Sequence, residues 1–338
     1  MAGAMSPRDF KFGLMLEGVG DHVNGNTVSG ITTTQPAITD SSVLLGLDVD
    51  SIGFPTLNTN QVMDVRSNQG RIATQVDFFH DNTNRVTEFS VSGTLHNSAG
   101  HRVLFHNIMN SAIGTSAIAH NHTGSGGIYG TSSDANVSLT AVLVSPDPAH
   151  AHNIILRGCF VTSLTINADM GTNGGMYTYS ATFSTGKTPL LANTETAVYN
   201  QYGGSPISLS TASTKKVNSL DVIMSSFGVT IDSPMVYTGV AADGYVAYQR
   251  GAETSVTATS TCKLDSVSRA IIANYDAGTL DTADFFTLTQ GTSTDFSITI
   301  PSGALTNVAY NEGDIMMLDV EMKALAGASG SVLTVKSA

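Results

Sequence analysis

The stretch EFSVSGTLH, Glu88–His96, alternates strictly: Phe89, Val91, Gly93 and Leu95 fall on one side, Ser90, Ser92, Thr94 and His96 on the other. Successive side chains leave a strand on opposite faces, so this period of two commits the segment to a sheet with one apolar and one polar face. The run MYTYSATFST repeats the pattern, setting Tyr177, Tyr179, Ala181 and Phe183 against Thr178, Ser180, Thr182 and Ser184. Near the C-terminus, Met316, Leu318, Val320 and Met322 form an apolar side with Asp319, Glu321 and Lys323 opposite. The polar sides are therefore neutral hydroxyl in one half and acidic on balance in the other. Ordinary strand propensity accounts for Ser and Thr on exposed strands; a surface selected to be wet and non-adhesive accounts for them equally.

Strand-like runs bounded by Gly, Asn, Asp or Ser occupy most of the chain, including DFKFGLMLEG, VSLTAVLVS, NIILRGCFVTSLTI, LDVIMSSFGVTI and TSVTATSTC. Helical spacing occurs over residues 101–113, with Leu104, Ile108 and Ala112 on one stripe, and over 266–277, with Val267, Ala270, Ile271 and Asn274. The expected class is mainly β, with one short helix flanking each half.

The two halves resemble each other segment by segment. Glu88 and Glu253 each follow an arginine by three residues, Arg85 and Arg250, and each opens an alternating strand that gives way to a helix. Upstream, QVMDVRSNQGRIATQ and MVYTGVAADGYVAYQ place Gly70 and Gly244 at the same spacing, and LDVDSIGFPTL precedes the one as LDVIMSSFGVTI precedes the other. In the helices, Arg102 and Asn107 align with Arg269 and Asn274. Segments matched in one order predict a tandem duplication: a first domain over 1–190 with long loops, a Ser-, Thr- and Gly-rich linker over 191–215, and a second domain over 216–338. Extra Gly- and Asn-rich excursions, 21–40 and 115–134, are expected as loops of the first domain.

Charged residues make up only 12% of the chain, about half the usual share, which predicts that copies of the protein cover much of its surface. The formal net charge of −12 argues against binding nucleic acid by neutralising phosphates. With Cys159 and Cys262 as the only cysteines, a disulfide framework is not expected. No run approaches the eighteen or so apolar residues of a membrane-crossing helix, and no export or lipidation signal is recognised.

No constellation of residues points to an enzyme. The pairs in HNH (His120, His122) and HAH (His150, His152) have metal-compatible spacing, but no Cys or closely spaced carboxylate pair completes a site, so solvated loop histidines are expected, with no metal and no cofactor. GSGGIYG, Gly124–Gly130, has the wrong spacing for a dinucleotide fingerprint; STGKT lacks the first glycine of a phosphate loop, with Ala181 in its place, and Pro189 follows it. Arg85, Glu88, Arg250 and Glu253 are expected as repeated exposed ion pairs.

The order of strand EFSVSGTL, helix HRVLFHNIMN and strands NIILRGCFVTSLTINADMG and MYTYSATFSTGK resembles a bacteriophage tail tube (major tail) protein domain, and GYVAYQRGAETSVTATSTCKLDSVSRAIIANY resembles it again. The resemblance implies two tandem tail-tube domains, each a β-sandwich or half-barrel with a flanking helix. In that family six domains form a ring whose inner sheets join, rings stack, and DNA passes through the lumen. For a duplicated chain it implies a trimeric ring with pseudo-sixfold symmetry, partnered by tape-measure and tail-terminator or tail-tip proteins in the virion tail. It also implies DNA passing without specific binding, and lumen-facing Ser90, Ser92, Thr94, Thr178, Ser180, Thr182, Asp319 and Glu321. The alternatives are the tube of a contractile injection or secretion system, or a monomeric adhesin-like β-sandwich binding module. A metal-dependent hydrolase on the His120 and His150 segments ranks last.

Overall fold

The computed structural model describes residues 6, 9–16, 43–55, 60–63, 78–81, 86–109, 120–125, 138–146, 153–192, 198–200, 205–240, 246–250, 254–280, 283–291, 296–326 and 331–337. The first half runs β1 (Lys11–Leu16), β2 (Val43–Gly46), β3 (Ser51–Gly53), β4 (Asn60–Met63), β5 (Phe78–Asp81), β6 (Thr87–Thr94) and helix α1 (Ala99–Ile108). It continues with β7 (His120–Ser125), β8 (Leu139–Val144), β9 (Asn153–Asp169), β10 (Thr178–Thr185), β11 (Leu190–Ala192) and β12 (Val198–Asn200). The second half runs β13 (Ala212–Val217), β14 (Leu220–Asp221), β15 (Met224–Asp232), β16 (Met235–Val240), β17 (Val246–Arg250), β18 (Ser255–Lys263) and helix α2 (Arg269–Asp276). It ends with β19 (Phe286–Gln290), β20 (Phe296–Ile300), β21 (Gly303–Asn311), β22 (Met317–Ala324) and β23 (Ser331–Ser337). The fold is mainly β, and nearly every strand pair is antiparallel.

Pairing repeats between the halves, ladder by ladder. β1 pairs with β2 and β8, as β13 pairs with β14 and β19. β8 and β11 flank the start of β9, as β19 and β23 flank β20. β3–β6–β10–β9 run side by side, as do β15–β18–β22–β21. The hairpins β4–β5 and β16–β17 interrupt equivalent places.

The 17-residue β9 serves two layers. Its first part pairs with β8 and β11, and its last part with β10 and β15. It turns from one layer to the other near Gly158, whose φ of +61° suits a residue without Cβ. In the second half this passage is broken into β20 and β21 by Pro301 and Ser302, because proline has no N–H to give a ladder.

Each half is thus a two-layer sandwich closed by aromatic contacts. Phe12 of β1 meets Phe89 and Phe183, which stack on each other at 4.8 Å, and Phe227 of β15 meets Phe286 of β19. The halves are not separate bodies. One contiguous core spans both, and Tyr177 packs edge-on against Phe227 at 4.8 Å.

Several expectations are corrected by packing. The described parts of segment 191–215, expected as a linker, are packed: β12 pairs in parallel with β2, Pro206 and Ser208 bridge to His96 and Met176, and Ile207 and Leu209 are buried. His120–His122 lie in strand β7 rather than a loop, in register with Ser337–Val335 of β23. Helix α1 buries Leu104 and Ile108 as expected, but α2 buries only Ile271, while Val267 and Ala270 face solvent. Met316 is exposed in the turn before β22, whose apolar side is Leu318, Val320, Met322 and Ala324. Ala112, Arg85, Glu253, His150, His152 and the excursion 21–40 lie outside the described residues, as does the side chain of Arg250.

Candidate functional site: the polar face of an eight-stranded sheet

The four-stranded layers β3–β6–β10–β9 and β15–β18–β22–β21 join through β9 and β15, giving one sheet in the order β3–β6–β10–β9–β15–β18–β22–β21. Its apolar face packs on the core; its other face is polar across most of its width, with Ala304 and Ala309 at the β21 edge. In β6 the burial alternates Val91 in and Ser90 out, and in β18 Val256 and Ala258 in and Thr257 and Thr259 out. Alternation of this kind pins the register, since a slip of one residue would turn every hydroxyl into the core.

All eight lumen residues expected from the sequence share this face. Ser90, Ser92 and Thr94 stand opposite Thr182, Ser180 and Thr178, which in turn oppose Ser163, Thr165 and Asn167. The row continues across the junction from Thr165 to Thr230 and Thr257, ending at Lys323 and Ala304. Asp319 and Glu321 oppose Thr261 and Thr259.

The sequence reading missed the middle of the surface: Ser163, Thr165, Asn167, Asp169, Thr230, Asp232, Thr257, Thr259 and Thr261 belong to it equally. The alternation in SLTIN and in TATST carried the signal.

Neighbouring hydroxyls and carboxylates satisfy one another along the face. Ser163 Oγ donates to Asp232 Oδ1 at 2.6 Å across the junction, where Thr165 and Thr230 hydroxyls also meet at 3.2 Å. Thr261 Oγ1 donates to Asp319 Oδ1 at 2.7 Å, and Asn311 Nδ2 to Asp319 Oδ2 at 2.9 Å. Side chains paired in this way present few free donors to a phosphate. Among the described residues, Glu88, Asp169, Asp232, Asp319 and Glu321 on this face are set against Lys263 and Lys323, so the face is acidic on balance.

The core beneath is fixed by polar contacts. Asn107 Oδ1 on α1 accepts from the buried Val161 N–H at 2.7 Å, tying helix to sheet. His101, buried under Tyr179, has its pKa lowered to about 3, first by burial and then by nearby His96, with a backbone hydrogen bond at Thr94 acting in the opposite sense. Ser98, the N-cap of α1, accepts from the His101 N–H and shares a 2.7 Å hydrogen bond with its Nδ1. His96 Nε2 meets Asp48 Oδ2 at 2.9 Å, which anchors the turn leading into β3. Among the described residues no three His, Cys, Asp or Glu side chains gather as a metal site, and no helix is long and apolar enough to cross a membrane.

No protein-family profile matches the chain, and the comparison with curated proteins finds no relative.

Proposed function

We propose that this chain is the structural protein of a bacteriophage tail tube, assembling into rings that stack into a conduit for DNA. The observation that carries the reading is the duplicated sandwich whose inner layers already join, through β9 and β15, into one sheet with a neutral-to-acidic face. With each half supplying one of the six staves of such a ring, three chains make the ring, a trimer with pseudo-sixfold symmetry.

Such a wall conducts DNA by not holding it. Hydroxyls paired with one another or with carboxylates keep the surface wetted, and the excess of carboxylates over ammonium groups repels phosphate. The candidate lumen residues are then the polar row already described, with Ser90, Ser92, Thr94, Thr178, Ser180, Thr182, Asp319 and Glu321 among them. No step of bond making is assigned to the chain, and tape-measure and tail-end proteins are the partners this role implies.

Sedimentation velocity of the purified protein tests the reading. The expected result is a species of three times the 35.1 kDa chain mass, or multiples of it, growing with concentration. A 35.1 kDa species at every concentration would remove the proposal.

A further inference from the structure

We propose that the open edge β21, with helix α2 beside it, docks onto the β3 edge of a second copy in the register that β9 and β15 use within one chain. The inference rests on the assembly proposed above and specifies its contact residue by residue. Among the described residues, β21 pairs only with β22 and β3 only with β6, so the sheet ends in two open edges. These are the edges that the internal repeat matches: β21 is the counterpart of β9, and β3 that of β15.

The helix starts fix how the halves correspond. Ser98 Oγ accepts from the His101 N–H at 3.5 Å, and Asp265 Oδ1 accepts from the Ser268 N–H at 3.0 Å. The same offset carries Leu104 to Ile271, both fully buried, and Leu95 to Cys262 at the strand ends. On the strands it carries Ser92 to Thr259. Ser92 opposes Ser51 and Ser180, while Thr259 opposes Gly228 and Glu321. Ser180 opposes Thr165 and Glu321 opposes Asn307, so Thr165 corresponds to Asn307, and Gly228 to Ser51.

Inside the chain Asn167 pairs with Gly228, Ile166 with Val229 and Thr165 with Thr230. Carried over, Ala309 faces Ser51 of the next copy, Val308 faces Ile52 and Asn307 faces Gly53.

Exposure gives an independent reason for a copy there. Tyr310 is 59% exposed where its counterpart Ala168, covered by Phe227 of β15, is 4% exposed. Tyr275 on α2 is 41% exposed where its counterpart Ile108 on α1 is fully buried. The second half thus leaves bare two positions that are covered in the first. A heterologous contact between these edges repeats head to tail, and it makes a ring when the rotation closes.

The contact between copies lacks one clasp that the internal junction has. Strand β7, which follows α1, crosses to pair with β23, and α2 is followed instead by β19. Assemblies should therefore come apart between chains and leave each chain intact.

A cysteine pair reads the register directly, because a disulfide needs Cα atoms within about 7 Å. The native Cys159 and Cys262 are fully buried and stay silent, while Ser51 and Ala309 are exposed. Under mild oxidation of the assembled full chain, Ser51→Cys with Ala309→Cys should give a covalent ladder ending at three chains. Either single variant should remain one chain, and moving the second cysteine to Asn311 should cut the yield several-fold. Rings or tubes in electron micrographs without cross-linking of the 51/309 pair would overturn the register and leave the proposed function standing. No particles and no cross-link would overturn both, whereas an endless ladder would uphold the edge contact and refute the closed ring.

Discussion

Replacing Gly93 with alanine strikes the contact that holds the β3 edge in place. Gly93 lies on the core face of β6, and a Cβ there would sit 2.1 Å from the Asp48 carbonyl oxygen and 2.8 Å from its carbon. Both are backbone atoms, so no side chain can swing aside; the turn before β3 must retreat. Overpacking of this kind costs about 1–3 kcal/mol. The retreating oxygen also accepts from Tyr179 Oη at 2.7 Å, a bond worth about 0.5–1.5 kcal/mol. A loss of about 2–4 kcal/mol follows, and with a urea slope of about 2–3 kcal/mol per molar the midpoint falls by about 1 M. Tyrosine emission reports the transition, as the chain has ten Tyr and no Trp. Tyr179→Phe is the control: it deletes the hydrogen bond without the clash and should cost about 1 kcal/mol. A Gly93→Ala protein within about 0.5 kcal/mol of the parent would refute the close approach, and with it the account of how β3 is positioned.

Asn107→Ala leaves the buried Val161 N–H without its acceptor and should cost about 1–3 kcal/mol by the same urea assay, with a wild-type midpoint as the contrary result. His101 stays neutral in the fold down to about pH 3, while the unfolded chain takes up that proton below about pH 6.5. Stability from this group is therefore complete above pH 6.5 and falls by about 1.4 kcal/mol per pH unit below it. Comparing the parent with His101→Asn between pH 6.5 and 5 should show that slope in the parent and lose it in the variant. Ser180→Lys, on the exposed face, should leave stability within about 0.5 kcal/mol. It should also give assemblies that retain DNA at low salt, seen as a mobility shift that the parent lacks; a folding defect would instead place Ser180 in a packed environment.

Alternation made the eight-stranded sheet legible from sequence, because a period of two survives wherever one face is buried and the other wet. EFSVSGTL, MYTYSATF and LDVEMKAL all landed in the layer and on the face that their patterns require. What the sequence concealed follows from partners far along the chain. Strand β7, with His120–His122, has no apolar alternation of its own and becomes a strand only because β23 offers it a ladder. The stretch around Ile207 and Leu209 reads as a linker, since the two apolar residues alternate over only three positions amid Ser, Thr and Gly, too short a run to mark a strand. Val267 and Ala270 have helical spacing but face solvent: amphipathic spacing predicts a face, and of that stripe only Ile271 reaches the core. The junction of β9 with β15 was also out of reach, for pairing between halves depends on which edges remain open after each half has folded.

Electron microscopy of the purified protein, classified on end-on views, tests the central claim most directly. The account predicts rings with a central channel and threefold symmetry that looks sixfold at low resolution, each chain contributing two adjacent staves with Ser92, Ser180, Thr165 and Thr230 lining the hole. Rings in which this row faces outward, or isolated chains at high concentration, would contradict it.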